Sequence, residues 1–383
     1  MLQKLTIKNI SSKIPRALFI FLLALSVLPL IQGQTDFFPT EPLKGAITEP
    51  QKDSFKTADW FSGKYQEGIE KYFNESFGFR NTCIRINNQL AFDIDRKANA
   101  NGVVIGKNNY LYESNYIKAY YGTDYIGYDS IATRMQQLKY IHDTLKSLNK
   151  NVIVVFAPGK GSFYPEYFPD HLKTQKGITN YEIYLRLAKE FNISHIDFKN
   201  YFIQKKNTAA YPLYPQYGIH WSNYSMCIAT DSMIRYIEAI RKIDIPNAYW
   251  NEVDLDQPRT DDYDIAGGMN ILFKLRSFEM AYPQIQFESD SGKTKPSLLV
   301  VSDSFYWGIF CFGISNAFSN NHFWFYNNDI YPDSYTSTLT TQQINLKEEI
   351  AKHDIIIIMA TEATLPNLGW GFIENTYAAL KNK

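Results

Sequence analysis

The apolar positions along the chain change their period several times, and each change predicts a different element. Lys4, Lys8, Lys13 and Arg16 precede an apolar run over residues 17–31, broken by Ser26 and Pro29. A run of fifteen residues is short for a membrane-spanning helix and typical of a signal-peptide core. The residues that follow, Leu30-Ile31-Gln32-Gly33, lack a small-x-small cleavage pattern, which favours an uncleaved anchor with its positive flank inside. A cleaved signal is the alternative, and both readings export the remainder. The expected address is therefore periplasmic, with an inner-membrane tether if residues 1–33 are retained. Residues 34–57 are polar and proline-containing, and read as a linker.

Residues 60–74 then carry helical spacing through Trp60, Lys64, Ile69, Tyr72 and Phe73, and a second helical run passes through Ile84, Ile86, Leu90 and Phe92. Residues 103–112 have a strand–turn–strand pattern, so 58–128 are expected as a helical and hairpin extension. From residue 129 the pattern alternates. Ile131, Met135, Leu138, Ile141, Leu145 and Leu148 form a helical stripe behind Asp129 and Ser130 as candidate caps. Continuous apolar runs at 151–157, 298–302 and 354–360 read as buried strands, with shorter ones at 194–198 and 322–326. Helices are expected around 181–191 and 220–241, and over the apolar stretch 306–318. Buried β-branched strands alternating with helices predict an α/β domain over 129–383, with a mostly parallel sheet covered on both faces.

Composition narrows the function. The 383 residues carry 39 basic and 39 acidic side chains, and no basic block lies beyond the N-terminus, so nucleic-acid binding has no electrostatic support. Cys83, Cys227 and Cys311 form no C-x-x-C pair and read as small buried hydrophobes. The six histidines show neither H-x-H nor H-x-x-x-H spacing, so no metal site is read from spacing, and no cofactor is indicated. Ala157-Pro-Gly-Lys-Gly-Ser162 looks like a phosphate loop but lacks the P-loop spacing, and Pro165 and Pro169 oppose the helix that such a loop opens. Lys160 instead stands after a strand, where α/β folds bind ligands.

Two segments carry candidate chemistry. Ser304 follows the strand-like run 298–302 at a turn into apolar sequence, where its hydroxyl would be exposed beside free backbone N–H groups. A histidine from elsewhere could serve as its base, and His220 lies in Gly218-Ile219-His220-Trp221-Ser222. Taken alone, each has a bland reading: a cap serine, a structural histidine, a core tryptophan.

Together, Ile219-His220-Trp221 and Asp303-Ser304-Phe305 resemble the D-x-H-W and G-D-S-F segments of the SGNH-hydrolase-like proteins of exopolysaccharide O-acetylation, the AlgJ/AlgX type. Supporting matches are Phe77-Gly78-Phe79-Arg80, Gly106-Lys107, Tyr110-Leu111-Tyr112, Ala157-Pro158-Gly159-Lys160 and Tyr164-Pro165-Glu166. The resemblance implies a circularly permuted, three-layer SGNH-like fold, with Ser304 as nucleophile and His220 as general base. It implies acetyl transfer to an exported polysaccharide, with a membrane-bound O-acyltransferase as acyl donor. Trp221, Lys160 and Tyr164 become candidates for positioning substrate. Two residues depart from the pattern: Ser302 replaces a glycine, and Gly218 stands where the family's aspartate orients the histidine. An aspartate restored at 218 is expected to reach the imidazole. Asp262 or Asp264, in an acidic stretch that otherwise reads as a solvated turn, are candidate replacements. A catalytically silent glycan-binding or scaffold protein and a secreted esterase remain as rival readings.

Overall fold

The computed structural model describes residues 3–45, 51–333, 336–337 and 339–381. It divides into two compact units, residues 1–100 with 267–274, and residues 101–266 with 275–383. The extension expected over 58–128 is thus split, its two expected helical runs falling in the first unit and its hairpin, with the helix Ser114–Tyr121, in the second.

In the first unit a continuous helix, Gln3–Thr35, contains the expected apolar run. Its Ile14–Thr35 part has a mean hydropathy of 2.3, long and apolar enough to cross a membrane, a test that signal sequences also pass. The helix expected over 60–74 is two helices, Thr57–Phe61 and Lys64–Ser76, because Gly63 between them takes a φ of 83°. A further helix, Arg80–Asp93, holds the segment 267–274 through Asn88 Nδ2, which donates to the Met269 carbonyl at 2.9 Å.

The second unit opens with the hairpin β1 (Val103–Ile105) and β2 (Leu111–Glu113). Its body is a sheet built from β3 (Asn151–Ala157), β4 (His195–Asp197), β9 (Leu298–Ser302), β10 (Asn321–Phe325), β11 (Asp329–Tyr331), β12 (Leu339–Thr340) and β13 (Ile355–Thr361). The small antiparallel pairs β5 (Ala248–Tyr249) with β8 (Gln286–Phe287), and β6 (Val253–Asp256) with β7 (Met280–Pro283), lie in the long connection between β4 and β9. The sheet order is β12-β11-β10-β9-β13-β3-β4. All neighbours from β10 to β4 are parallel, and β11 and β12 join antiparallel at one edge.

Alternate strand residues explain the continuous apolar runs. Leu299, Val301, Ile356, Ile358, Val152 and Val154 face a core closed by the predicted stripe Ile131, Met135, Leu138, Ile141 and Leu145 on the helix Tyr128–Ser147. Leu298, Val300, Ile355, Ile357, Ile153 and Val155 point the other way and are equally buried. Burial of each such side chain is worth about 1.5–3 kcal/mol, so both faces must be covered. The helix predicted over 306–318 is shorter. A 3-10 turn, Ser304–Tyr306, and a one-turn helix, Trp307–Cys311, end at Gly313, which has a φ of 83°. Cys227 is buried as expected, but Cys83 and Cys311 are exposed, and all three thiols are free.

Parallel strands bring their carboxyl ends to one edge. Ser302, Thr361, Ala157 and Asp197 end β9, β13, β3 and β4 there, so the segments carrying Ser304, Glu362 and Lys160 gather at this edge.

Candidate active site

Ser304 is held by its neighbour. Asp303, almost fully buried, accepts from the Phe305 N–H at 3.1 Å and so caps the turn that presents the serine. Its other oxygen accepts from the Thr361 N–H and hydroxyl, both at 3.0 Å, and from the Thr364 hydroxyl at 2.6 Å. The end of β9 is thereby tied to the end of β13. Ser302, where the family has glycine, is itself fully buried, and a Cβ is accommodated.

His220 arrives from the opposite direction and is fixed on both sides. Trp221 is fully buried against Phe198, Phe202 and Phe305, and its Nε1 donates to the Phe305 carbonyl at 3.2 Å. Ser222 caps the helix Asn223–Arg241, accepting from the Ser225 N–H. Before His220, the Lys160 ammonium donates to the carbonyls of Gln216 at 2.8 Å and Gly218 at 2.6 Å. Burial pushes this lysine down to about 7, against the upward pull of Asp264 and Asp262. Trp221 and Lys160 are therefore corrected from substrate-positioning candidates to loop-positioning residues, since neither side chain is open to a ligand. Tyr164 is partly buried among Tyr110, Phe163 and Tyr167, its hydroxyl 3.4 Å from the Tyr214 carbonyl, and it too is engaged within the protein.

These supports bring His220 Nε2 to 2.9 Å from Ser304 Oγ. The other ring nitrogen, Nδ1, lies 2.5 Å from Asp264 Oδ2. Asp264 Oδ1 accepts from the backbone N–H groups of Ile219 at 2.9 Å and Ile265 at 2.6 Å, which aims the carboxylate. Burial by itself would lower the His220 pKa. The hydrogen bond and charge of Asp264, with Asp261 and Asp303 behind it, outweigh burial and raise it above the usual histidine value. Asp262 does not reach the imidazole: it is fully buried beside Tyr282 and Asn223, and burial pushes it up to about 7.

Gly218 has a role that spacing did not reveal. A Cβ there would stand 2.3 Å from the Asp261 carbonyl oxygen and 2.8 Å from the Asp262 carbonyl carbon. The acidic stretch is thus no solvated turn. It packs backbone to backbone on residue 218, and the Ala266 N–H donates to the Tyr217 carbonyl at 3.1 Å. The missing side chain at 218 makes the space through which Asp264 is delivered.

Residues 103–249 match the family described as SGNH hydrolase-like domain, acetyltransferase AlgX. Over that stretch the chain is similar to the SGNH hydrolase-like domain of AlgX. The matched stretch includes Lys160 and His220 and ends before Asp264 and Ser304, so those two are assigned by geometry. No curated protein matches the chain. Among solved structures, the O-acetyltransferase domain of Pseudomonas putida AlgJ aligns with 15% identity and a TM-score of 0.47, covering 73% of this chain and 99% of that one. Pseudomonas aeruginosa AlgX aligns with 14% identity and a TM-score of 0.47, covering 74% and 71%. Bacillus cereus PatB1 with a sulfonyl adduct aligns with 11% identity and a TM-score of 0.42, covering 64% and 93%. These likenesses are distant, and the chemistry of the site rests on the contacts above.

Sequence reasoning missed Tyr326. It follows β10, and its N–H donates to the Ser302 carbonyl at 2.9 Å, which sets it beside the serine turn. Burial and Asp303 raise the phenol's pKa, and the nearby Ser304 works against them. Its ring is 37% exposed and meets the Trp370 ring edge-to-face at 5.1 Å. Tyr326, with a φ of 49°, and Trp370, with 45°, both occupy the left-handed region, where bulky side chains are rare and strain tends to accompany function.

Proposed function

We propose that this AlgX-type domain moves an acetyl group to a hydroxyl of an exported polysaccharide through an ester on Ser304. The observation that carries the reading is the continuous relay Ser304–His220–Asp264. In the first half, Ser304 Oγ attacks the donor carbonyl and its proton passes to His220 Nε2. The tetrahedral species collapses, the donor's leaving group departs with that proton, and an acetyl ester remains on Ser304. In the second half, His220 takes the proton of a sugar hydroxyl, whose oxygen attacks the ester, and Ser304 leaves with the proton. Asp264 holds Nδ1–H throughout and stabilises the imidazolium. In this reading the Ser304 backbone N–H and the Tyr326 hydroxyl donate to the developing oxyanion.

The family's description as an acetyltransferase supports the acetyl group. The exposed Tyr326, backed by the partly buried Trp370, supports a sugar acceptor, because the C–H face of a pyranose stacks on aromatic rings. The reading as a silent glycan-binding relative drew on Gly218, and a carboxylate at Asp264 removes that ground. The donor in this proposal is a membrane-bound O-acyltransferase.

The full-length chain in detergent, mixed with an activated acetyl ester, should show a burst and a mass increase of one acetyl group. Ser304→Ala should show neither, and Tyr326→Phe should slow the burst by about 10²-fold. An adduct that survives Ser304→Ala, or none on the wild-type chain, would refute the acyl-enzyme. The apolar helix supports export with a retained periplasmic tether. Cell fractionation with N-terminal sequencing should find residues 1–33 on membrane-bound protein; a soluble form starting near residue 33 would rule the tether out.

A further inference from the structure

A second cluster of reactive side chains lies at the other end of the strands. His322 is the second residue of β10 and pairs with Leu299 near the start of β9, whereas Ser304 lies beyond that strand's end. Glu349 lies on the helix Leu346–Lys352, and His353 follows as its cap, one turn after Glu349. His322 Nδ1 is 3.0 Å from Glu349 Oε1, and His353 Nε2 is 3.4 Å from the same oxygen. One donor atom from each of the three residues lies within 4.8 Å of the others. The imidazole rings meet edge-to-face with centroids 5.0 Å apart.

We propose that His322, Glu349 and His353 bind a divalent transition metal of the zinc class. Zinc bonds of about 2.1 Å put neighbouring tetrahedral ligands about 3.4 Å apart. The two contacts to Glu349 already have that scale, and closing the third pair needs a small movement of the histidines toward a shared centre. Two imidazoles and a carboxylate are a donor set that zinc favours over magnesium or calcium. One supporting group is in place, while His353 Nδ1 is buried without a hydrogen-bond partner among the described residues. Lys352 Nζ lies 2.6 Å from Glu349 Oε2 and holds the carboxylate by the oxygen that faces away from the trio. His353 is fully buried. The His322 side chain is 22% exposed and Glu349 9%, so the ion would enter from the His322 side and a water would complete its shell. Bound there, the metal would staple the helix preceding β13 to β10 and serve the sheet rather than the serine.

Spacing could not show this site, because its ligands come from a strand and a helix end. Without a metal, the same residues form a polar network in which two imidazoles share one carboxylate oxygen. The two states are distinguished by titrating tag-free, full-length protein, stripped with a chelator, with Zn²⁺ alone. One equivalent should bind saturably and raise Tm, and Co²⁺ in its place should give the visible bands of a four-coordinate site. His322→Gln, at a partly exposed position, and Glu349→Gln should each weaken uptake by more than the roughly 10–100-fold that loss of an outer partner costs. Circular dichroism and the metal-free Tm of His322→Gln should stay unchanged. Absence of saturable uptake by the wild-type chain, or uptake undiminished in a folded His322→Gln, overturns the proposal.

Discussion

Asp264→Asn is expected to slow acetylation of Ser304 by about 10⁴-fold, on the scale seen when the aspartate of a serine-protease triad is made an amide. The amide oxygen can still accept from the Ile219 and Ile265 N–H groups, so the loop should keep its place. The amide nitrogen would then face His220 Nδ1 as a donor. The imidazole must answer with a bare Nδ1, its proton moves to Nε2, and Ser304 meets a donor where it needs a base. The pH profile carries a second signature. Neutral His220 is the working form, and its pKa lies above the usual histidine value because of Asp264 and the acids behind it. The wild-type rate should therefore rise with pH through an inflection above that usual value. In Asp264→Asn the residual rate should have its inflection at lower pH, since burial then dominates. Asp262→Asn, which does not touch the ring, should leave the relay intact. Burst rates across pH for the three proteins test this, and an Asp264→Asn rate within tenfold of wild type would exclude Asp264 as the orienting acid.

Gly218→Asp, the change that motif logic offers as a repair, is expected to do harm. A Cβ 2.3 Å from a backbone carbonyl cannot be relieved by rotating a side chain. Either the segment before His220 or the turn carrying Asp264 must move. Overpacking of this kind costs about 1–3 kcal/mol, and a displacement near 1 Å costs roughly 10²-fold in rate. Gly218→Ala should show most of both losses, which separates the steric effect from the added charge. Unfolding scans and burst rates for both variants provide the check. Rescue of Asp264→Asn by a second change, Gly218→Asp, would mean that the two positions are interchangeable after all.

Strong local patterns were readable in advance. The apolar runs of β3, β9 and β13 and the stripe from Ile131 to Leu145 announce a covered parallel sheet, because burial on both faces leaves no polar alternation. Ser304 and His220 stood out because each sits in a short segment of distinctive wording. The carboxylate did not stand out singly, since Asp262 and Asp264 are equivalent as sequence. Only the packing of their turn on Gly218 sends one to the imidazole and another into the interior beside Tyr282. Tyr326 looked like a strand end, and Trp221 and Lys160 like ligand contacts, until burial assigned them. The helix expected after Ser304 stops early because Gly313 turns the chain, which composition alone did not weigh.

Asp303 anchors the serine turn to Thr361 and Thr364, and β13, which carries Thr361, is last in the chain yet lies between β9 and β3. Synthesis delivers the chain from its N-terminus, so the sheet lacks an inner strand until residues 355–361 arrive. Until then β9 and β3 have no common neighbour, and the turn bearing the nucleophile has lost its tie to β13. A chain still being synthesised therefore presents His220, Asp264 and Ser304 without a frame to align them. Truncation after residue 354 should therefore silence Ser304 without removing Ser304, His220 or Asp264.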